Sequence, residues 1–225
     1  MRALPLLEPR RASLEKCVFC PKLCRTACPV SNAEPRETVT PWGKMSLAWM
    51  AAHGDVPVDG SHAAPAWACT GCFGCRELCD HRNPVADVLL DARAALVMRG
   101  GVHVAPEGAR RVLAGFAAHE ERTRALTRSL AAETGSHDAA ASTALLIGCG
   151  YVRGAPEQAR DAVAAAAAVA RGPVAVVEGC CGLPLRLAGD ADGFRAHARA
   201  FARALGSKRL ARVLAGSCIR RVESL

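Results

Sequence analysis

Several things are scarce in this sequence. Aromatic residues make up only 4% of the chain's 225 residues. A core must therefore rely on small side chains and close helix packing. No long hydrophobic run occurs: the longest, "AVAAAAAVA" from Ala162 to Ala170, has nine residues, against the roughly twenty that cross a bilayer as a helix. The N-terminal "MRALPLLEPRRASLEK" makes a poor signal peptide, because its apolar run is short and broken by two prolines and an arginine pair. No G-x-G-x-x-G follows a strand-like segment, which speaks against a flavin or nicotinamide site. No stretch interleaves dense basic charge with aromatics. The formal charge of +8 omits the negative charge that metal-bound thiolates would carry, so nucleic acid is not expected as a partner.

Cysteine, by contrast, is plentiful: there are twelve. In a secreted chain they would suggest a disulfide frame. Without a leader or a spanning helix, the reading is a cytoplasmic protein, peripheral at most at the inner face of a membrane, whose thiols serve metals or redox chemistry. The cysteines fall into three sets. Cys17, Cys20, Cys24 and Cys28 lie in "KCVFCPKLCRTACPV"; Cys69, Cys72, Cys75 and Cys79 lie in "CTGCFGCRELCD"; Cys149, Cys180, Cys181 and Cys218 are spread over the last third.

Helical signals frame the first two sets. Thr40-Pro41 starts a helix that Gly54 stops, with Leu47 and Met50 on a short apolar face. In "PVADVLLDARAALVMRGG", Val85, Val88, Leu89, Ala92 and Leu96 share one face, and Gly100-Gly101 ends the helix. Further helix is expected between Val102 and Asp138, then a linker in "TGSHDAAAST". From there the pattern changes to strand "TALLIGCG", helix "PEQARDAVAAAAAVARG" closing at Gly172, strand "PVAVVEGCCG", helix "DADGFRAHARAFARALG" with Phe194, Ala198, Phe201 and Leu205 on one face, and strand "RLARVLAGSC". Such a β-α-β-α-β order implies a parallel sheet. The late cysteines sit just beyond the strand ends, so they should converge at one sheet edge.

The expected fold is thus α+β: an N-terminal extension over 1–16, an α-helical ferredoxin-like domain over 17–100, a helical connector and linker over 101–140, and a small α/β domain over 141–225. The second set spaces as C-x2-C-x2-C-x3-C, the bacterial ferredoxin run, with Asp80 in place of the usual proline. The first set has one extra residue before Cys24 and keeps Pro29 after its last cysteine. In two-cluster ferredoxins the last cysteine of each run serves the other cluster. By that rule Cys17, Cys20, Cys24 and Cys79 hold one [4Fe–4S] cluster, and Cys69, Cys72, Cys75 and Cys28 hold the other. Zinc more often takes two C-x-x-C pairs or cysteine mixed with histidine. His81 reads as a surface residue, and Trp42, Trp49 and Trp67 read as packing rather than cluster shields. Arg195, Arg199 and Arg203 read as a solvated helix face.

With these motifs the chain resembles the iron–sulfur subunits related to heterodisulfide reductase, glycolate oxidase and anaerobic glycerol-3-phosphate dehydrogenase. Their α-helical ferredoxin domain carries two [4Fe–4S] clusters, and one or two "CCG" domains follow. Here Cys149 is followed by thirty residues before Cys180-Cys181-Gly182, and Cys218 comes thirty-six positions after Gly182. Arg221 stands where the family has its last cysteine, and there is room for one CCG domain only. That shortness reads as a split gene or a truncated chain whose other half completes the site.

The resemblance implies a non-catalytic electron-transfer subunit between a flavoprotein dehydrogenase and a quinone, a membrane subunit or a disulfide. It also implies that Cys149, Cys180, Cys181 and Cys218 hold a third iron–sulfur or zinc centre, or meet a partner. The residues leave two other functions open: thiol–disulfide reduction at the CCG site, and a zinc- or cluster-stapled module binding nucleic acid.

Overall fold

The computed structural model describes residues 1–21, 23–138, 140–205 and 209–212, without the side chains of 23, 204, 205 and 209–212. In chain order it has helices α1 (Arg11–Val18), α2 (Pro29–Ala33), α3 (Pro41–His53), α4 (Gly60–Trp67), α5 (Gly74–Glu77), α6 (Val85–Gly100) and α7 (Glu107–Glu133). Strand β1 (Thr143–Leu146) follows, then α8 (Cys149–Gly154), α9 (Pro156–Ala170), β2 (Val174–Val176), α10 (Leu183–Ala188), α11 (Ala191–Leu205) and β3 (Arg209–Arg212). The fold is α+β, with a helical N-terminal part and a small parallel sheet. The chain divides into two compact units. The first is Met1–Leu113 with Pro184–Ala191, and the second is Ala114–Leu183 with Asp192–Leu225.

Among its described residues the first unit has helices and no strand. Residues 1–16, expected as an extension, are part of it. A 3₁₀ turn over Pro5–Arg10 runs into α1, and Leu4, Leu7 and Leu14 are fully buried against Met45, Leu89 and Leu96. Leucines spaced by three and then seven place one apolar face inward across both elements, which is why this segment folds rather than trails. Thr40 caps α3, its Oγ1 accepting from Gly43 N at 3.0 Å, and Gly54 closes the helix at φ 87°.

The buried face of α3 is not the expected one. Met45, Ala48, Ala51 and Ala52 are buried together with Lys44 and Ser46, while Leu47 and Met50 are only half-buried. A helix covered nearly all round has no single stripe for periodicity to find. In α6 the expected residues Val85, Val88, Leu89, Ala92 and Leu96 are all buried.

In the second unit β1 lies between β2 and β3, and both pairs are parallel. Each crossover contains a helix, as parallel neighbours require. The cap of α9 is Arg171, left-handed at φ 52°, rather than Gly172. Phe194, Ala198 and Phe201 of α11 are buried, and Arg195, Arg199 and Arg203 are exposed. Helix α7 does more than connect. Its Thr123, Thr127, Leu130 and Ala131 are buried, and Leu130 and Ala131 join the core with Leu145, Ile147 and Val163. No helix among the described residues is long and apolar enough to cross a membrane.

Candidate metal centres

The first eight cysteines are carried by short elements of the first unit. Cys17 lies in α1, Cys24 in a 3₁₀ turn over Leu23–Ala27, and Cys28 is the N-cap of α2. In the second run the chain turns sharply, with Gly71 at φ 74° and Phe73 at φ 62°. Gly74 then starts α5, where an added Cβ would stand 3.0 Å from the Ala27 carbonyl oxygen. The two runs therefore pack backbone to backbone, a closeness only glycine permits without adjustment.

Thiols of the two runs lie near one another. Cys17 interacts electrostatically with Cys24, Cys79 and Cys20. Cys75 interacts with Cys24, Cys69, Cys72 and Cys28. A cavity in the same region is lined by Cys28, Cys69, Cys72 and Cys75 together with Lys44, Phe73 and Val85. Cys24 interacts with members of both runs, so thiols of the two runs are near neighbours.

The electrostatics favour cations in both places. Burial pushes the thiols of Cys17 and Cys75 up to about 12, and neighbouring thiols add repulsion. Crowded buried thiolates are stable only beside positive charge. Cys28 differs: burial opposes ionisation, but hydrogen bonds from Ser31 and the Lys44 ammonium prevail and lower its pKa. Lys44, 2% exposed, donates from Nζ to Cys28 Sγ at 3.6 Å.

On the other side Asn83 Nδ2 donates to Cys17 Sγ at 3.0 Å and to the Ser13 carbonyl at 2.7 Å. The guanidinium of Arg93, also buried, donates to the carbonyls of Ala66 and Cys69 at 3.0 and 2.6 Å. Hydrogen bonds and charge at cluster sulfurs are what set cluster potentials.

These polar groups were not singled out from the sequence. Lys44 stood as a lone charge in an apolar helix, and Asn83 followed the exposed His81. Trp42 and Trp67 donate to the carbonyls of Val18 and Ala188 at 3.2 and 3.3 Å, and Trp49 and Trp67 pack against the core of the first unit.

In the second unit Cys149 begins α8 directly beyond β1, and Cys180 and Cys181 follow β2. One ring nitrogen of His119, Cys149 Sγ and Cys180 Sγ all lie within 4.8 Å of one another. Among the described residues this is the one set of three or more such donors close enough for a single ion. Cys181 is buried next to them, and Cys218 and Arg221 lie outside the described residues. Cys149 is lowered to about 6, first by a hydrogen bond shared with Cys180 and further by His119, against the effect of burial. Cys180 is raised by the same bond, by Cys181 and by burial.

The CCG loop is held from two helices. Glu120 Oε2 accepts from Cys180 N at 2.7 Å, and Thr127 Oγ1 accepts from Gly179 N at 3.1 Å. His197 Nε2 donates to the Cys180 carbonyl at 2.7 Å. Gly182 has φ 82°, and an added Cβ would meet His197 Cδ2 at 2.7 Å. The glycine of the motif is therefore required twice, by its backbone angle and by the ring beside it. His119, Glu120 and Thr127 all come from α7, a stretch the sequence offered only as a connector.

Residues 13–83 match the 4Fe-4S dicluster domain family, which spans both cysteine runs and supports an iron–sulfur protein. No curated protein and no solved structure matches the chain.

Proposed function

We propose that this chain is an electron-transfer protein carrying two [4Fe–4S] clusters in its first unit. Cys17, Cys20, Cys24 and Cys79 would hold one cluster, and Cys69, Cys72, Cys75 and Cys28 the other. The reading is carried by the dicluster match over residues 13–83, and the grouping of the thiols across the two runs supports it.

A single-ion role for these eight thiols has less support, since no three of them are drawn close enough for one ion among the described residues. When bound, the clusters supply one-electron chemistry. The protein's part is to hold them close together and tune each through Lys44 and Asn83. The motif spacing of the whole chain points to a subunit of the heterodisulfide reductase-related type. A flavoprotein dehydrogenase would give the electrons, and a quinone, its membrane subunit or a disulfide would take them.

Anaerobic iron and sulfide analysis, with EPR of the dithionite-reduced protein, tests this. About eight irons per chain and two interacting [4Fe–4S] signals are expected. Zinc without iron in anaerobic preparations would refute it.

A further inference from the structure

We propose that His119, Cys149 and Cys180 form a separate single-ion site in the second unit, suited to zinc, with the histidine of α7 as its third protein ligand. The proposal goes beyond the electron relay and does not depend on it.

The donors are the kind zinc selects. Two thiols and an imidazole satisfy a borderline-soft cation, and tetrahedral zinc needs few ligands. Zinc–sulfur bonds of about 2.3 Å and zinc–nitrogen bonds of about 2.0–2.1 Å put tetrahedral donors roughly 3.5–3.8 Å apart. The three donor atoms lie within 4.8 Å of one another, so small side-chain rotations would close the set. Three protein ligands among the described residues leave a fourth tetrahedral position to be filled.

The site is built rather than incidental. Cys149 and Cys180 are brought together by the adjacent parallel strands β1 and β2. Cys180 is fixed through its own N–H and carbonyl by Glu120 and His197. Glu120 is the residue after His119, so one turn of α7 presents a ligand and also clamps the loop that carries a second.

The imidazole has one nitrogen available. Arg153 Nη1 stands 3.0 Å from Nδ1. Nε2 is buried and makes no hydrogen bond, an uncommon state for a buried polar atom. A cation at Nε2 requires its lone pair and places the ring proton on Nδ1. That proton then opposes the N–H groups of Arg153, where a zinc-bound histidine normally donates to an acceptor. Arg153 therefore competes with the ion, and its exposed side chain must swing away when the ion binds. This sets the site apart from a site made of cysteines alone. The residue that completes it lies outside the CCG pattern, in a helix thirty residues before Cys149.

The test uses the full chain, purified anaerobically, with zinc and iron measured together and zinc-edge X-ray absorption for the ligands. About one zinc per chain is expected, bound by two sulfurs at about 2.3 Å and at least one nitrogen. His119→Ala should weaken zinc at least tenfold in a chelator competition while iron stays unchanged. His119→Cys should retain zinc and raise its sulfur count to three, which a purely structural histidine would not do. Arg153→Met should tighten zinc.

A chain that neither retains nor takes up zinc overturns the proposal. So does zinc with an all-sulfur shell indifferent to His119→Ala, and so does recovery of Cys149 and Cys180 as a disulfide after anaerobic purification. Iron content reports separately on the relay, so failure of either reading is recognisable by itself.

Discussion

The two units assemble their thiols in opposite ways. In the first, eight cysteines come from two short runs, and neighbouring loops bring them together. In the second, Cys149 and Cys180 come from the ends of two strands, and His119 comes from a helix that precedes both. The first arrangement is local and tolerates little besides tight turns at Gly71, Phe73 and Gly74. The second depends on strand order, on the crossover helix α9 and on the clamp made by Glu120, Thr127 and His197. The polar environments differ as well. The first unit offers its thiols a buried ammonium and a buried amide, Lys44 and Asn83. The second offers an imidazole with a bare nitrogen. An ammonium or an amide can tune sulfur from outside, while an imidazole can itself bind a metal.

The largest effect should come from the crossing of the two runs. Cys28→Ser and Cys75→Ser should each remove about four of about eight irons and leave the same residual EPR signal. Cys17→Ser and Cys79→Ser should leave the other signal. If Cys28→Ser pairs spectroscopically with Cys17→Ser instead, each run serves its own cluster and the crossed grouping is wrong.

Gly182→Ala should act on the second unit alone. The alanine must adopt φ 82° and its Cβ must displace His197, so a loss of at least about 1 kcal/mol is expected. Limited proteolysis should show earlier cleavage after residue 114, with the iron content unaltered. Loss of iron in that variant would mean that the units do not stand independently.

The smallest effect is the most informative about the first unit. Lys44→Met keeps the length of the side chain and removes a positive charge beside Cys28. Reduction adds negative charge, so the cluster there should become harder to reduce. Asn83→Leu should shift the other cluster in the same direction but less, because an amide carries only a dipole. A redox titration followed by EPR measures both, and equal shifts would argue against the distinction drawn between charge and dipole.

Much of this was legible in the residues, for reasons that differ between the units. Ligands of a cube that arise from one loop must be close in sequence, so spacing alone marks Cys17 to Cys28 and Cys69 to Cys79. Capping is equally local, and Thr40, Gly54 and Gly101 delimit their helices where expected. The alternation of strands and helices also sufficed to place Cys149 and Cys180 at one sheet edge. The N-terminal sixteen residues were harder. Leu4, Leu7 and Leu14 share a buried face, but Pro5 and Pro9 interrupt the helical signal that would mark it.

By itself, then, the sequence determined the thiol-rich chemistry, the helical first part, and the parallel strands of the second, because each depends on neighbours along the chain. The tertiary structure alone decided which polar groups attend the thiols. Lys44, Asn83, Glu120 and His119 are separated from the cysteines they serve by between sixteen and sixty-six positions. Nothing local distinguishes them from other charged or amide side chains. What distinguishes Lys44 and Asn83 is burial beside sulfur, where a charge or dipole that water would otherwise satisfy has only the thiols to act upon, while Glu120 and His119 are half-buried beside Cys180 and Cys149.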